Sequence, residues 1–438
     1  MEYTRKELLP GVFLTHLRSD KFKTACMSVN LLTQLSRETA AMTALIPQVL
    51  RRGTASYGDM ERLSARMDEL YGTAIEPTIR RLGEIQCPGF FASFPEGEYL
   101  PGGAKLLNDV AALMAELLLS PKTRGGLLMP EYVDSEKEKL LDLIRSRVNE
   151  KRGYAMSRCI EEMCCFEDFA VSRFGTEDEA ENIHYKKLTK HYRKLLQECP
   201  VELFYCGKAG YKQVASVLKD AFASMPRGEI NYDIGTDVRM NAVEDHIRYV
   251  EEEMAVTQGK LVMGFRLGEC MDEPDIPAIY VFNTVFGSGA NSKLFMNVRE
   301  KLSLCYYASS AVVLKKGIML VSSGIEFDKY DDAKDEIFRQ LEAVKNGDIT
   351  QEELDTAKRS VASDLRSAMD SQGELEGFWL SQTLEGLDYG PLELAELIED
   401  VTKEDVMAIA KSIEPDLIYF LKGTDDEEEY DDDDDADD

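Results

Sequence analysis

The feature that most constrains this chain is an internal repeat in its order of strands and helices. In the first half, an apolar helix predicted over 39–51 runs into a turn at Gly53, and another apolar helix is predicted over 106–119. In the second half, the matching turn begins at Gly287 and the matching helix at Asp332. Both offsets are about 230 residues, which indicates that a unit of roughly 210 residues has been duplicated.

Within each half, runs of strands and runs of helices occur without the regular alternation of a parallel sheet. This order favours an α+β fold of two homologous units, each an antiparallel sheet with helices packed on one face. We expect the N-terminal unit over 1–230 and the C-terminal unit over 231–424, joined within the Pro- and Gly-containing segment 225–241. The acidic residues 425–438 cannot bury apolar area, so we expect a disordered tail.

Composition narrows the class of protein. The formal net charge of −30 repels phosphate backbones, so we expect no nucleic-acid partner. For the acidic tail, solubilisation is the expected role and docking of a basic partner the alternative. No stretch approaches the roughly 18 apolar residues of a membrane span, and we expect a cytoplasmic chain with no membrane partner. The nine cysteines include no C-x-x-C spacing, which is typical of reduced thiols.

The segment ALIPQVLRRGT, residues 44–54, predicts a buried helix but contains Pro47. A proline inside a helix removes a hydrogen bond and clashes with the preceding turn, at a cost of roughly 3 kcal/mol. The order of elements and this segment resemble the pitrilysin/insulinase family of zinc peptidases, which carry H-x-x-E-H on a helix. When R-G-T at 52–54 is aligned with the family pattern, the two histidines fall at Ala44 and Gln48, and the glutamate base falls at Pro47.

The third metal ligand of the family is a glutamate on a later helix. Aligning its pattern with EKEKLLDLI, residues 136–144, places this ligand at Leu143, which has no donor atom. A shifted alignment would bring Glu138 or Asp142 to the position instead. One carboxylate does not hold catalytic zinc, which usually has three protein ligands including nitrogen.

The histidines of the chain do not offer a substitute site. They are scattered along the sequence at His16, His184, His191 and His246. Two of them, His184 and His191, are close, but two helical turns put them roughly 10 Å apart, and we interpret both as exposed helix residues. We therefore predict no metal, no cofactor and no catalytic residue in this chain.

A second family motif is retained. The stretch LFMNVREKLSLCY, residues 294–306, is similar to L-F-x-x-V-R-E-x-x-G-L-A-Y and matches its arginine and tyrosine at Arg299 and Tyr306. The resemblance implies that this pair binds substrate across an internal chamber from the zinc helix, with the phenol stabilising the developing oxyanion. A surface arginine and a packed tyrosine are the alternative. Ser303 replaces the family glycine, which affects the turn that aims Tyr306.

The glycine-rich stretch GSGANS, residues 287–292, also has the appearance of a phosphate loop. It follows a helix where a phosphate loop follows a strand, and it lacks the third glycine and the lysine-serine ending. The glycine-rich turn of the family, which precedes the Arg/Tyr helix, explains it better.

The resemblance, most similar to non-catalytic bacterial members, implies a peptide-binding subunit that is inactive alone. We expect a zinc-bearing H-x-x-E-H partner, with a hetero-oligomer favoured and a homodimer left open. The alternative is a structural or peptide-binding component with no role in cleavage, holding an extended peptide on a sheet edge. Members of this kind are associated with aminopentanol modification of elongation factor P. An independent hydrolase is disfavoured, because no G-x-S-x-G arrangement nominates a nucleophile.

Overall fold

The computed structural model describes residues 2–424, and the predicted acidic tail at 425–438 lies outside this range. Strands of the first half are β1 (Glu2–Leu9), β2 (Val12–Arg18), β3 (Thr24–Leu31), β4 (Thr33–Gln34), β5 (Ala74–Leu82), β6 (Ile85–Pro95), β7 (Thr123–Arg124), β8 (Leu127–Leu128) and β9 (Val201–Gly207). Its α-helices are α1 (Ala40–Leu50), α2 (Met60–Glu69), α3 (Leu107–Leu119), α4 (Pro130–Ser146), α5 (Lys151–Met163), α6 (Glu177–Glu181), α7 (Tyr185–Glu198) and α8 (Tyr211–Ala221).

The second half begins after a segment, 222–247, that contains no helix or strand. Its strands are β10 (Arg248–Met254), β11 (Gly259–Arg266), β12 (Cys305–Val313), β13 (Ile318–Ile325) and β14 (Glu414–Gly423). Its α-helices are α9 (Ile276–Asn283), α10 (Tyr330–Lys345), α11 (Gln351–Ala368), α12 (Gln372–Glu385), α13 (Pro391–Asp400) and α14 (Lys403–Ser412), with π-helical turns at Thr284–Ser288 and Leu294–Lys301. We propose that the boundary between the two units lies at 230/231, within the segment that separates the sheets.

The two large sheets share one strand order, which confirms the predicted duplication. The first sheet runs β1-β2-β9-β3-β6-β4, with β5 also paired to β6, and the second runs β10-β14-β11-β13-β12. In each sheet the last strand of the half inserts between two early strands. Each sheet therefore contains one parallel pair, β2 with β9 and β10 with β14, and its other pairs are antiparallel.

Each sheet is covered on one face by helices of its own half and on the other by a helix of the opposite half. Helix α5 packs Cys159 and Met163 against Val262 and Tyr419 of the second sheet. Helix α12 packs Leu375 and Trp379 against the first sheet, in a cluster with Leu17, Cys26, Phe204 and Cys206. The two halves thus exchange one helix each.

The sequence did not predict α5. The charged stretch EYVDSEKEKLLDLIRSRVNEK predicts a single helix over 131–151, but α4 ends at Ser146, and a 3-10 turn separates it from α5. The carboxylate of Glu150 accepts hydrogen bonds from the backbone N–H groups of Arg152 and Gly153, which caps the new helix. The buried face of α5 consists of small and soft residues, so its periodicity is weak in the sequence.

A buried set of ion pairs joins the two halves. The ammonium of Lys316 lies 2.6 Å from Glu84, in the turn between β5 and β6, and 2.7 Å from Glu167 of the segment after α5. The guanidinium of Arg266 lies 2.6 Å from Glu167 and 2.8 Å from Asp416 on β14. Each of these charges therefore has an opposite partner, which buried charges require. None of the helices within residues 2–424 is long and apolar enough to cross a membrane.

Candidate functional site

The helix aligned with the zinc motif is α1, and it is buried on nearly every side. Ala44 is 3% exposed, and Pro47 lies inside the helix, as predicted. Neither side chain has an atom that can bind a metal. Gln48 is the one partly exposed residue of α1, and its amide oxygen is a poor zinc ligand beside imidazole or thiolate. The α1 positions therefore do not fit zinc.

Helix α4 packs against α1, and here the predicted alignment is wrong. The side chain of Leu143 is 44% exposed and does not belong to the packed face of the helix. The carboxylate on that face is Glu136, which is 6% exposed and lies 2.9 Å from Arg52 just after α1. The motif places the ligand at Leu143, which lies seven residues, or about two helical turns, after Glu136. The burial of the Glu136 side chain on the α4 face toward α1 indicates its position, whereas the sequence motif does not.

The carboxylate of Glu136 already has its counter-ions. Oxygen Oε1 accepts from Arg52 Nη1 at 2.9 Å and from Lys139 Nζ at 2.7 Å. The Arg52 guanidinium also lies 5.2 Å from the ring centroid of Tyr132. Two protein cations thus neutralise the Glu136 carboxylate.

His191 lies beside α1 and is not the exposed residue we expected. Its Nε2 is 2.8 Å from the hydroxyl of Thr43. Burial, together with the charges of Lys194 and Lys187, lowers the pKa of His191 to about 4, so the ring is neutral at pH 7. His184 is exposed, as predicted, and its ring caps the start of α7. Among residues 2–424, no group of three or more His, Cys, Asp and Glu side chains is arranged to hold a metal ion.

The retained motif lies on the π-helical turn Leu294–Lys301 and the start of β12. The side chain of Arg299 is 42% exposed, and its guanidinium lies 4.7 Å from the ring centroid of Phe295. Tyr306 is 61% exposed and sits at a bulge, where the pairing of β12 with β13 skips from Cys305 to Tyr307. Both predicted substrate residues are thus accessible to solvent, and Arg299 Nε lies 3.4 Å from a carboxylate oxygen of Glu300. Within residues 2–424, no hydrogen bond or ion pair joins either side chain to α1 or α4.

The turn before Tyr306 keeps the geometry of a glycine even though Ser303 occupies it. The backbone of Ser303 has φ of 51°, in the left-handed region that favours glycine. The amide N–H of Leu304 still donates to the carbonyl of Val298 at 3.0 Å, which closes the turn. The replacement therefore strains the turn, at a cost of about 1 kcal/mol, without removing it.

Sequence reasoning missed a second arginine near this motif. Arg152 of α5 donates to the hydroxyl of Ser309 on β12 at 2.8 Å and to that of Ser322 on β13 at 3.2 Å. Its guanidinium lies 4.3 Å from the ring centroid of Tyr307, next to Tyr306. The residue comes from the exchanged helix of the first half, so no local pattern could have placed it here.

These features define a class of protein. It has a duplicated, peptidase-like α+β fold in which the helix aligned with the zinc motif, α1, lacks the metal ligands. A family profile described as "Peptidase M16 inactive domain" matches residues 182–361. The chain is 32% identical over 418 residues to the probable inactive metalloprotease YmfF of Bacillus subtilis, covering 95% of this chain and 97% of that one. It is 22% identical over 337 residues to an uncharacterized zinc protease of Streptomyces coelicolor, covering 74% and 72%. The chain therefore belongs to the M16 family and is an inactive homologue of its metallopeptidases.

Solved structures show the same fold. A conserved protein from Enterococcus faecalis superposes with a TM-score of 0.87 at 26% identity, covering 96% of this chain and 99% of the other. A protease from Helicobacter pylori superposes with a TM-score of 0.78 at 17% identity, again over 96% and 99%. The resemblance first seen in two sequence motifs thus extends over nearly the whole chain.

Proposed function

We propose that this chain is the non-catalytic subunit of a two-chain M16 peptidase. In this role Arg299 and Tyr306 contact a peptide held at the zinc of a partner chain that carries H-x-x-E-H. The partner supplies the metal, its ligands and the general base. This chain supplies the hydrogen-bond donors of the Arg299 guanidinium and of the Tyr306 hydroxyl.

One observation carries the proposal, namely the asymmetry between the two motifs. On the helix that would hold zinc, a ligand position is occupied by Ala44 and the position of the base by Pro47, and neither side chain has a donor atom. The motif that would contact substrate has Tyr306 61% exposed and Arg299 42% exposed. A homodimer would contain two such motifs and no zinc ligands, so a zinc-bearing partner completes the site where a second copy does not.

The test is reconstitution with the zinc-bearing M16 chain of the same organism. Cleavage of a fluorogenic peptide library is measured for the zinc chain alone, for the mixture, and for a mixture with the Arg299→Ala, Tyr306→Phe variant. The matched control is Arg366→Ala, Tyr249→Phe, which removes an arginine that is 53% exposed and a tyrosine that is 57% exposed elsewhere on the second half. We expect the mixture to cleave faster, the first variant to lose at least tenfold, and the control to keep full activity. A mixture no faster than the zinc chain alone would contradict the proposal.

A second role is favoured by the open edge of β12. This strand is the last of its sheet and pairs with β13, so an extended peptide could add to its outer edge beside Tyr306. The chain would then bind peptide without taking part in its cleavage. It would do so in the cytoplasm, in a process linked to the modification of elongation factor P. The same double variant separates the roles. Lost turnover at unchanged peptide affinity supports the first, and weakened affinity with no turnover in the mixture supports the second.

A further inference from the structure

An arginine-lined cleft lies away from both motifs, where the β5–β6 hairpin approaches α5. Its volume is about 290 Å³, and its walls include three arginines and two serines. These residues are Arg81 at the end of β5, Arg147 after α4, Arg173 before α6, and Ser157 and Ser172. Such a grouping of positive charge is unexpected in a chain with a formal net charge of −30.

Arg81 is fixed at the wall of the cleft with spare donors. Its Nη1 donates to the carbonyls of Phe169 and Val171, each at 2.9 Å, and its guanidinium lies 4.0 Å from the Phe169 ring centroid. Nε and Nη2 have no protein acceptor within residues 2–424. Burial, and then the charges of Arg173 and Arg147, lower the pKa of Arg81 to about 10, so it remains charged at pH 7 and repels its neighbours.

The other two arginines are poorly neutralised. Within the described part of the chain, Arg173 has no carboxylate within 4.0 Å. Arg147 Nη2 has Glu161 as its partner, at 3.8 Å, and that carboxylate is held more closely by Arg158, at 2.8 Å. Counting the three arginines of the cleft against Glu161, an excess of about two positive charges faces the cleft.

We propose that this cleft binds a dianionic oxyanion, the phosphate group of a small molecule. A phosphate carries about two negative charges near neutral pH, which matches the excess, whereas a single carboxylate would leave one arginine unpaired. Guanidinium forks pair with phosphate oxygens through two parallel hydrogen bonds. The hydroxyls of Ser157 and Ser172 add neutral donors to the same cleft.

Bound phosphate would also join the first sheet to the helix that packs on the second sheet. Arg81 belongs to the first sheet, whereas Ser157 belongs to α5, which packs on the second sheet. An anion that contacts both sides binds the assembled fold and not the unfolded chain, and so stabilises the folded state.

The test is isothermal titration of the purified full chain with inorganic phosphate and with phenyl phosphate, at constant ionic strength set with chloride. We expect saturable one-to-one binding of at least one probe and a concentration-dependent rise in Tm. The tighter probe shows whether the site takes the free ion or an ester. Arg147→Gln and Arg173→Gln should each weaken binding at least tenfold, and the fold should survive because neither side chain holds a backbone carbonyl. Arg62→Gln, an exposed arginine on α2, serves as control and should bind like the wild type.

Two results would overturn the assignment. One is the absence of saturable binding of either probe at millimolar concentration. The other is equal affinity in the wild type and the Arg147→Gln, Arg173→Gln double variant. Arg81→Gln is unsuitable as the test variant, because its loss would also release the carbonyls of Phe169 and Val171.

Discussion

The ammonium of Lys316 lies 2.6 Å from the carboxylate of Glu84, and both side chains are almost fully buried. The two residues are 232 positions apart, on opposite halves of the duplicated fold. Glu167 completes the arrangement, at 2.7 Å from the same ammonium. The junction between the halves therefore depends on charge pairing as well as on apolar packing.

Replacing Lys316 with methionine should lower the free energy of unfolding by about 3–5 kcal/mol, because two buried carboxylates lose a shared cation. Urea unfolding monitored by circular dichroism measures the change. The control, Lys194→Met, removes an exposed lysine of α7 and should cost less than about 1 kcal/mol. Equal stability of the two variants would show that the junction does not depend on this ion pair.

His191 should make the protein less stable in mild acid. Its folded pKa, about 4, lies below the ordinary value of 6.5, so its contribution to stability is fully present above pH 6.5 and is lost as the pH falls toward 4. Unfolding free energies measured from pH 7 to pH 4.5 should fall by about 1–3 kcal/mol more in the wild type than in His191→Gln. Parallel pH profiles would contradict a half-buried ring that is neutral at pH 7.

The corrected position of the third ligand predicts how the zinc site can be rebuilt. Ala44→His, Pro47→Glu and Gln48→His together should bind zinc with Glu136, without any change at Leu143. We expect elemental analysis to find far less than one zinc per chain in the wild type and a clear gain in this triple variant. Adding Glu136→Gln should abolish the gain, whereas adding Leu143→Gln should not. A gain of zinc that appears only when Leu143→Glu is added would instead support the original alignment.

Pro47 should lower the stability of the folded protein. Pro47→Ala restores the missing backbone donor to the carbonyl of Thr43, and after loss of ring contacts we expect a gain of about 1 kcal/mol in stability. The comparison is Pro130→Ala, at the first turn of α4, where proline is well placed and no gain is expected. Thermal unfolding of both variants measures the difference, and a destabilised Pro47→Ala would show that ring packing outweighs the hydrogen bond.

Local patterns in the sequence predicted most of the elements and their duplication. Helices such as α3 and α10 have strong periodicity, so their positions agree with expectation to within a few residues. The exchanged helix α5 was not predicted, because it is stabilised by packing against the opposite sheet. Its own buried face consists of only Ala155, Cys159 and Met163, which gives a weak apolar pattern. Contacts between distant residues also decided the site: Glu136 is identified by Arg52, 84 positions away, and Arg152 reaches β12 from the other half.

The exchange of helices affects the order in which the chain can fold during synthesis. All strands of the first sheet have been synthesised once β9 ends at Gly207. The helix that covers Leu17 and Phe204 on one face of this sheet is α12, which ends only at Glu385. At about 5–20 residues per second, the ribosome needs roughly 10–40 s to make the intervening stretch. Throughout this interval an apolar sheet face of the nascent chain lacks its cover, which makes it a natural substrate for ribosome-associated chaperones.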